Sequence, residues 1–252
     1  MNPTGNTILV TGGGSGIGRG LAEALHAAGN TVVIAGRRRS VLEETSKAHP
    51  GMEWMTLDIE SGDAIKAFAA EATAKFPKLN VVINNAGIMR TETLTAEPVD
   101  LADSEAIVAT NLLGPIRLTA ALLPHFKKQS AATVITVSSG LAFVPLALTP
   151  TYCATKAAIH SYTESLRYQL KGTSVEVVEI IPPYVQTDLM GGAEDPRAMP
   201  LKDYLRETME LLSQQPTPPE ILVERVKPLR FAAENGYAAV FEGLNSAFAA
   251  AH

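Results

Sequence analysis

The sequence predicts a doubly wound α/β fold in which helices cover both faces of a parallel sheet. Short apolar runs, such as 7–10 and 31–35, alternate with longer amphipathic segments along about the first 180 residues. The runs are apolar throughout rather than alternating, which is typical of strands that are covered on both faces. Repeated strand–helix units join such strands by right-handed crossovers. The 252 residues are therefore predicted to form one Rossmann-type domain, 1–252, with a sheet of about seven strands.

The predicted elements follow one another in strand–helix order. Strands are predicted at 7–10, 31–35, 53–57, 80–83, 133–137 and 175–181, with 238–241 as a candidate seventh. Helices are predicted at about 17–28, 40–48, 61–76, 101–128 and 152–170, with Ser40 and Ser61 as N-caps. The segment after the sixth strand is rich in Pro and Gly and has one short helical pattern, at about 201–212. Because ligands bind beyond the carboxyl ends of the strands, this segment, about 183–219, is predicted to be a substrate lid.

Composition narrows the function classes. The formal net charge of −5 provides no basic field for nucleic acid or for an anionic membrane surface. Cys153 is the single cysteine, so no internal disulfide can form, as is usual in a reducing compartment. The N-terminal residues lack a signal-peptide pattern, and the apolar runs fall short of the ~18 residues of a membrane span. These observations predict a cytoplasmic protein without nucleic-acid or membrane partners.

A glycine-rich turn, TGGGSGIG, follows the first predicted strand and precedes a helix. Glycines in this position permit a tight turn, the close approach of backbone to a pyrophosphate, and close packing of helix on strand. The N–H groups at the start of the helix then attract the phosphates. The context favours a nucleotide site over glycines that only build a turn. The predicted phosphate-binding residues are Thr11, Gly12, Gly14, Ser15, Gly16, Ile17 and Gly18.

The glycine spacing resembles the TGxxxGIG motif of the short-chain dehydrogenase/reductase family rather than the GxGxxG fingerprint. A second motif, NNAG at 84–87, also resembles that family, and the motifs follow the family's order from about residue 6 to 190. The resemblance implies a nicotinamide-dependent oxidoreductase whose long helices pack between subunits in a homodimer or homotetramer. It implies cofactor contacts from Asn85, Ala86 and Gly87. The catalytic residues that it implies are Asn111, Ser139, Tyr152 and Lys156.

Tyr152 and Lys156 are four residues apart in a helical pattern and therefore share one helix face. A nearby ammonium favours the phenolate and lowers the pKa of a phenol from its reference value of ~10. The pair can donate a proton in carbonyl reduction and accept one in alcohol oxidation. Ser139 ends the fifth predicted strand, where its hydroxyl can hold a carbonyl oxygen beside the phenol. For Asn111 the resemblance implies a water relay beside the lysine, and a structural amide that bends its helix is the alternative.

The end of the second predicted strand bears on the choice of dinucleotide. An acidic residue there would bind the ribose hydroxyls of NAD, whereas this chain has Gly36 followed by Arg37 and Arg38. Arginines near the start of a helix are unfavourable unless they meet an anion, and planar guanidinium groups suit a phosphate. These residues favour NADP(H), with NAD(H) and a solvated charge run as alternatives. The resemblance places Asp58 and Ile59 at the adenine, and a helix cap is the alternative for Asp58.

After the sixth predicted strand the family usually reads PGxxxT, whereas this chain reads PPYVQT at 182–187. Pro183 replaces the glycine, which stiffens the turn and removes a backbone N–H. The residues that the resemblance implies at the nicotinamide end of the cofactor are Pro182, Val185, Thr187, Tyr152 and Lys156.

Together these residues predict an enzyme that uses NADP(H) to reduce a small-molecule ketone or other carbonyl to a secondary alcohol, and the reverse. A non-catalytic NADP-binding regulator on the same fold and an epimerase or dehydratase on a related fold are the alternatives. The histidines show no metal-ligand spacing, so no metal is predicted. His160 is assigned to packing or an interface, and Cys153 to buried packing. Candidates for the substrate pocket are Phe143, Leu146, Tyr184 and Met190.

Overall fold

A seven-stranded parallel sheet runs through the centre of the computed structural model, which describes residues 1–249. Its strands are β1 Thr7–Thr11, β2 Thr31–Gly36, β3 Glu53–Thr56, β4 Leu79–Asn84, β5 Ala132–Val137, β6 Val175–Ile180 and β7 Glu220–Ile221. Their order across the sheet is β3-β2-β1-β4-β5-β6-β7, so the direction of winding reverses between β1 and β4. The predicted doubly wound fold is confirmed, and the reversal marks the crevice at which such folds bind ligands. Residues 250–252 of the predicted domain lie outside the described residues.

Helices cover both faces of the sheet. They are α1 Gly16–Ala27, α2 Arg39–Ala48, α3 Gly62–Lys75, α4 Ala102–Val108, α5 Gly114–Phe126, α6 Pro150–Gln169, α7 Leu201–Leu212, α8 Lys227–Arg230 and α9 Tyr237–Ala249. One core cluster lies between the sheet and α1 and α7, and a second lies between the sheet and α3, α5 and α6. All residues of β1 and β5 are buried as a result, which accounts for their unbroken apolar sequences.

The seventh strand is β7, and the prediction of a strand at 238–241 is wrong. Those residues lie inside α9, where Leu244 and Phe248 continue the apolar pattern at helical spacing. β7 pairs in parallel with β6 through only two residues, Glu220 and Ile221. So short a strand has no periodicity to detect, and a short apolar run does not by itself distinguish strand from helix.

Helix boundaries agree with prediction in part. Ser61 caps α3 and accepts a hydrogen bond from the Ala64 backbone N–H at 3.2 Å, as predicted. Ser40 was predicted to cap the second helix but lies inside α2, which begins one residue earlier. The predicted long helix at 101–128 is present as α4 and α5, joined by a π-helical turn, Ala109–Leu113. Such a turn adds one residue to a helix and often lies at a functional site.

The segment between β6 and β7 contains the predicted short helix, α7, with the predicted bounds. α7 packs against α1 at Gly20, where a Cβ would lie 2.3 Å from the Leu205 side chain. Before α7 the chain forms a 3-10 turn, Leu189–Glu194, in which Met190 has a φ of 58°. This left-handed conformation is unfavourable for a residue with a side chain. The role of the segment as a substrate lid stays a prediction.

One helical stretch, Ala102–Phe126, is long and apolar enough to cross a membrane by length and composition. It contains a longer apolar stretch than the short apolar runs of the sequence predict. Within the described residues, 44% of its most apolar 18 residues are buried inside the protein. The α5 part packs against α3 and β4, as the core helix of an α/β fold does. Length and composition alone therefore indicate nothing about a membrane here.

Candidate active site

A cavity of about 600 Å³ lies at the carboxyl ends of β1, β2, β4 and β5, where the winding of the sheet reverses. It collects most of the predicted site residues, although they come from segments that are far apart in the sequence. The predicted residues that line it are Thr11, Gly12, Gly14, Ser15, Gly16, Ile17, Gly18, Arg37, Arg38, Ile59, Asn85, Ala86, Gly87, Ser139, Tyr152, Lys156, Pro182, Val185 and Thr187. Asp58 and Asn111 do not line it.

The glycine turn between β1 and α1 leaves little room for side chains, as Gly12 and Gly18 show. Gly12 has a φ of +67°, and a Cβ on it would lie 3.0 Å from the Cα of Ala86. A Cβ on Gly18 would lie 2.4 Å from the Gly12 carbonyl oxygen and 2.3 Å from Asn85 Nδ2. The approach at Gly18 is shorter than a real side chain allows, and Gly12 combines a tight contact with a left-handed backbone, so both positions favour glycine. The turn and the NNAG segment are thereby pressed together into one wall of the cavity.

Thr11 holds these two motifs together. Its Oγ1 accepts hydrogen bonds from the backbone N–H groups of Asn85 at 3.0 Å and Ala86 at 3.1 Å. Asn85 Nδ2 in turn donates to the Thr11 carbonyl oxygen at 3.0 Å. The side chains of Thr11 and Asn85 thus form hydrogen bonds with backbone groups of each other's segment. Their first role is therefore to shape the nucleotide cradle, which is the glycine turn together with the NNAG segment.

The N-terminus of α1 presents uncapped backbone N–H groups to the cavity. Its N-cap residue is Ser15, which makes no side-chain capping hydrogen bond, and its first turn has no acidic residue. Unpaired N–H groups and the helix dipole favour an anion at this end. A dinucleotide diphosphate fits the cradle, because it is anionic and because the glycines leave room for it.

Three consecutive arginines follow β2 and take different partners. Arg37 Nη1 donates to Glu60 Oε1 at 2.8 Å, and Arg38 Nη2 donates to Ser15 Oγ at 3.1 Å. Arg39 forms an ion pair within α2 instead. Arg37 and Arg38 line the cavity and Arg39 does not, so the first two are placed to meet a ligand anion.

Asp58 and Ile59 separate in the structure. Ile59 is buried and lines the cavity, whereas Asp58 is exposed and accepts a hydrogen bond from the Glu60 backbone N–H at 3.1 Å. The cap of α3 is Ser61, so the helix-cap alternative for Asp58 is not found. Contact between Asp58 and an adenine stays a prediction.

Helix α6 brings Tyr152 and Lys156 to the cavity. Both residues are buried, and the Lys156 Nζ lies 5.5 Å from the centroid of the Tyr152 ring. Lys156 Nζ donates to the Val137 carbonyl oxygen at 2.8 Å. Ser139 follows the end of β5, where its hydroxyl accepts a hydrogen bond from the Leu141 backbone N–H at 3.1 Å. The predicted spacing along the chain therefore places hydroxyl, phenol and ammonium in one pocket.

Burial governs the proton affinities of these groups. It raises the pKa of Tyr152 above its ordinary value, and a side-chain hydrogen bond with Ser139 opposes the rise. Burial lowers the pKa of Lys156 to about 8, and the negative charge of Glu179 opposes the fall. The predicted lowering of the Tyr152 pKa by Lys156 is outweighed here, because the phenol is enclosed and the ammonium donates to Val137 instead. A phenol that stays protonated at neutral pH is suited to donate a proton.

Asn111 lies in the π-helical turn and is buried beside the cavity rather than in its wall. Its Oδ1 accepts from the Ile88 backbone N–H at 2.9 Å, and its Nδ2 donates to the Ile88 carbonyl oxygen at 2.8 Å. Both ends of the amide thus support the segment that follows NNAG, in keeping with the structural alternative. The predicted water relay through Asn111 stays a prediction.

The cavity beyond Tyr152 is mostly apolar. Of the four substrate-pocket candidates, Leu146, Tyr184 and Met190 line it. Phe143 does not, and its ring packs on that of His160 with centroids 4.7 Å apart. The sequence interpretation also missed the apolar side chains that α9 and neighbouring loops contribute. These are Met89, Leu141, Leu189, Leu229, Leu244 and Phe248.

Helix α9 is anchored over the apolar end of the cavity. Asn245 accepts a hydrogen bond from the Ala147 backbone N–H at 2.7 Å and donates to the Pro145 carbonyl oxygen at 3.1 Å. The Phe248 ring packs edge-on against Tyr184 at 5.5 Å between centroids. Because a strand was predicted at 238–241, the contribution of α9 to the cavity was not predicted. The four-residue spacing of Leu244 and Phe248 does indicate a helix.

Glu92 is a further residue that the sequence interpretation missed. Its carboxylate accepts hydrogen bonds from the Thr151 backbone N–H at 2.9 Å, the Thr151 hydroxyl at 2.6 Å and the Ser104 hydroxyl at 2.7 Å. These bonds cap the first turn of α6, directly before Tyr152, and a carboxylate at this end also favours the helix dipole. Glu92 therefore holds the helix that carries the phenol.

The chain matches the family model described as short chain dehydrogenase over residues 6–198. A relative of nearly the same length, the uncharacterized oxidoreductase DltE of Bacillus subtilis (strain 168), is 38% identical over 251 residues. The matched part is 98% of this chain and 99% of that protein.

Solved structures of the same family superimpose closely on this chain. A short chain dehydrogenase from Burkholderia cenocepacia J2315, in complex with NADP, has a TM-score of 0.83 and 24% identity, over 97% of this chain and 99% of that one. The 3-ketoacyl-(acyl-carrier-protein) reductase from Brucella melitensis, complexed with NADH, has a TM-score of 0.77 and 27% identity, over 86% of this chain and 93% of that one. By its sequence motifs, its sheet order and these matches, the chain belongs to the short-chain dehydrogenase/reductase family of oxidoreductases.

Proposed function

We propose that the protein is a nicotinamide-dependent carbonyl reductase that also oxidises the corresponding secondary alcohol. One observation carries this proposal: Ser139, Tyr152 and Lys156 line the same cavity as the glycine turn. A regulator that only binds a nucleotide would not need a buried phenol, an ammonium and a hydroxyl at the far end of the nucleotide cradle.

The residues of the cavity fit a nicotinamide nucleotide. The glycine turn and the N-terminus of α1 would hold its diphosphate, and Lys156 would bind ribose hydroxyls. Val185 and Thr187 would contact the carboxamide, and a Cβ on Gly16 would lie 3.4 Å from Thr187 Cγ2, so the two ends of the cradle are close. The bound nucleotide supplies the hydride, and related structures contain NADP or NADH.

In the proposed mechanism the protein moves the proton and holds the carbonyl. Ser139 donates a hydrogen bond to the carbonyl oxygen, which polarises the bond and keeps that oxygen beside the phenol. Tyr152 donates its proton to the oxygen as the alkoxide develops. The positive charge of Lys156 stabilises the phenolate that remains, and a proton from solvent restores the phenol. Alcohol oxidation uses the same groups in reverse.

We infer a preference for NADP(H) over NAD(H) from Arg37 and Arg38. The double variant Arg37→Ala/Arg38→Ala is expected to raise the Kd of NADPH by roughly 10- to 100-fold, because a charge-assisted hydrogen bond contributes about 1.5–3 kcal/mol and each 1.4 kcal/mol is about tenfold. The Kd of NADH is expected to change less than about twofold, since NADH has no 2′-phosphate. Titration of nucleotide fluorescence measures both constants.

Arg39→Ala is the matched control for that experiment. It removes the next arginine of the same run, whose side chain forms an ion pair within α2 and does not line the cavity. It should leave both dissociation constants unchanged. If the double variant weakened NADH and NADPH equally, the inferred preference for NADP(H) would be rejected.

We further propose that the carbonyl carbon of the substrate carries an apolar substituent, which packs against the apolar wall of the cavity. The apolar wall beyond Tyr152 is formed by one cluster of side chains, which includes Leu141, Leu146, Met190, Leu244 and Phe248. Burying an apolar substituent against these side chains contributes about 25 cal/mol for each Å² removed from water. The wall therefore favours aryl or alkyl ketones over sugars.

Phe248→Ala is expected to raise KM for an aryl ketone by roughly tenfold, because it removes most of one aromatic contact from the substrate wall. KM for NADPH should stay the same. Steady-state kinetics with an aryl ketone and a short aliphatic ketone measure the effect. Phe241→Ala, on the same helix but outside the cavity, is the control. An equal loss with both ketones would argue against a specific apolar contact.

A homodimer or homotetramer through α5 and α6 remains a proposal. Tyr168 on α6 is 79% exposed and Leu113, at the start of α5, is 37% exposed, although both are apolar enough to favour a covered position. A cytoplasmic location likewise stays a prediction.

A further inference from the structure

A fully buried carboxylate lies behind the catalytic helix. Glu179 belongs to β6 and is 0% exposed, on a strand whose neighbouring residues Val177, Val178 and Ile180 are all buried and apolar. An ionised group in such a place is unfavourable unless other charges compensate it. A buried carboxylate of this kind is therefore expected to act on charged groups near it.

One oxygen of Glu179 has a clear partner. Its Oε2 accepts a hydrogen bond from His160 Nδ1 at 2.9 Å. Its Oε1 is buried and has no hydrogen-bond partner among residues 1–249. His160 therefore forms a hydrogen bond with only one of the two carboxylate oxygens. The negative charge of the carboxylate also acts on other charged groups nearby.

The adjacent strand contributes a second acid with its own counter-ion. Glu220 on β7 stands in register with Glu179, and both of its oxygens accept from Arg230 at 2.9 Å. Ligand atoms of His160, Glu179 and Glu220 lie within 4.8 Å of one another, which is the spacing of a metal site. Because Arg230 already occupies Glu220 with a positive charge, we assign the cluster to ion pairing.

Lys156 is the positive group near Glu179 on the side of the active site. Lys156 and His160 are one helical turn apart on α6, so both face the sheet. Glu179 stands in register with Thr136 of β5, and Lys156 Nζ donates to the carbonyl oxygen of the next residue, Val137. The ammonium and the carboxylate thus lie between α6 and the same two strands without forming a direct ion pair.

We propose that Glu179 is a positioning residue of the proton-transfer site. Its negative charge, on the side of Lys156 away from the cavity, favours the charged form of Lys156. His160 is the counter-ion of Glu179. This inference rests on the proposed function of Lys156 in nucleotide binding and proton transfer. Glu179 touches neither substrate nor cofactor, and it acts through the charge of the lysine.

The surrounding charges support this assignment. The charged groups around Glu179 are Lys156 and His160 from α6, Glu220 from β7 and Arg230 from α8. Glu164 of α6 lies on the far side of His160, with its carboxylate 3.9 Å from His160 Nε2. Burial lowers the pKa of Lys156 to about 8, close to neutral pH, and the charge of Glu179 opposes this fall. The hydrogen bond to Glu179 raises the pKa of His160. When the pKa of a lysine is this close to neutral pH, the fraction of the lysine that is charged depends on any anion beside it.

The test is a titration of Lys156 in protein that carries ¹³C at the ε-carbon of lysine, followed by NMR without nucleotide or substrate. The Lys156 resonance is identified by its loss in Lys156→Arg. In Glu179→Gln, which keeps the shape but removes the charge, the midpoint should fall by about half a pH unit or more. Glu179→Asp keeps the charge and should restore the midpoint toward the wild-type value. An unchanged or higher midpoint in Glu179→Gln would overturn the proposal.

The direction of this shift separates the proposal from a structural role. Loosened packing would admit water and raise the midpoint toward the ordinary lysine value, whereas loss of the anion lowers it. Glu176→Gln, on the same strand but paired with the N-terminal ammonium of Met1, is the control and should not move the midpoint. If Glu179→Gln does not fold, His160→Gln leaves the anion without its counter-ion, so the midpoint should rise. A fall or no change there would also overturn the proposal.

The same variants distinguish failure of this inference from failure of the proposed function. If the protein reduces ketones, the alkaline limb of kcat/KM should move in Glu179→Gln to lower pH by the amount seen in the titration. A shifted titration with no ketone reduction by the wild type would reject the proposed function alone. Ketone reduction whose alkaline limb stays in place, together with an unshifted titration, would reject the role of Glu179 alone.

Discussion

Tyr152→Phe is expected to lower kcat for ketone reduction by about 10²- to 10⁴-fold, which is the usual contribution of a general acid. The substitution removes one oxygen from a buried residue whose pKa is raised by burial, so the proton donor disappears while the ring still fills its place. NADPH affinity should change less than about twofold, since the glycine turn and the arginines are untouched. Single-turnover measurements of hydride transfer and fluorescence titration of NADPH check the two halves of this result.

Tyr162→Phe is the matched control for Tyr152→Phe. Tyr162 lies on the same helix, is partly buried against the second core cluster and does not line the cavity. The Tyr162→Phe variant should have the same kcat for ketone reduction as the wild type. If Tyr152→Phe kept wild-type kcat with NADPH and a ketone, Tyr152 would not be the proton donor, and the cavity would have to contain another acid.

Gly18→Ala is expected to disturb both the fold and nucleotide binding. The added Cβ would lie 2.4 Å from the Gly12 carbonyl oxygen, which is backbone, so the glycine turn must move to accommodate it. Overpacking of this kind costs about 1–3 kcal/mol in the free energy of unfolding. The Kd of NADPH should rise by more than about tenfold, because the cradle owes its shape to this contact. Urea denaturation and NADPH titration measure the two effects.

Gly243→Ala provides the comparison for Gly18→Ala. Gly243 lies in α9, and a Cβ on it would have no neighbour within 4 Å. Replacing a helical glycine by alanine is expected to raise the free energy of unfolding by about 0.5–1 kcal/mol. A Gly18→Ala variant that was as stable as the wild type and bound NADPH normally would show that the turn is not pressed against the NNAG segment.

Some of the fold and of the site could be predicted because the signals are local. The apolar runs predicted six strands, and the periodicity at 201–212 predicted α7 with its observed bounds. Ser61 caps its helix through its own side chain, which depends only on residues three positions away. β7 could not be predicted, since two residues hold it in the sheet by pairing with a strand about 40 residues earlier.

The error at 238–241 shows where local signals end. Four apolar residues fit a strand and a helix equally well, and the choice between them depends on the cavity edge against which Leu244 and Phe248 pack. The error concealed the contribution of α9 to the apolar wall. Prediction of the substrate class therefore had to wait for the tertiary structure.

The sequence by itself determined the glycine turn and the candidates for the reacting groups. Glycine spacing sets the path of the backbone directly, and a spacing of four residues puts Tyr152 and Lys156 on one helix face. The tertiary structure decided in which direction the pKa of each of those groups is shifted. Burial raises the pKa of Tyr152, and Glu179, from another strand, opposes the fall in the pKa of Lys156. A pKa depends on the solvent and charges around a group, and these come from residues that are close only after the chain has folded.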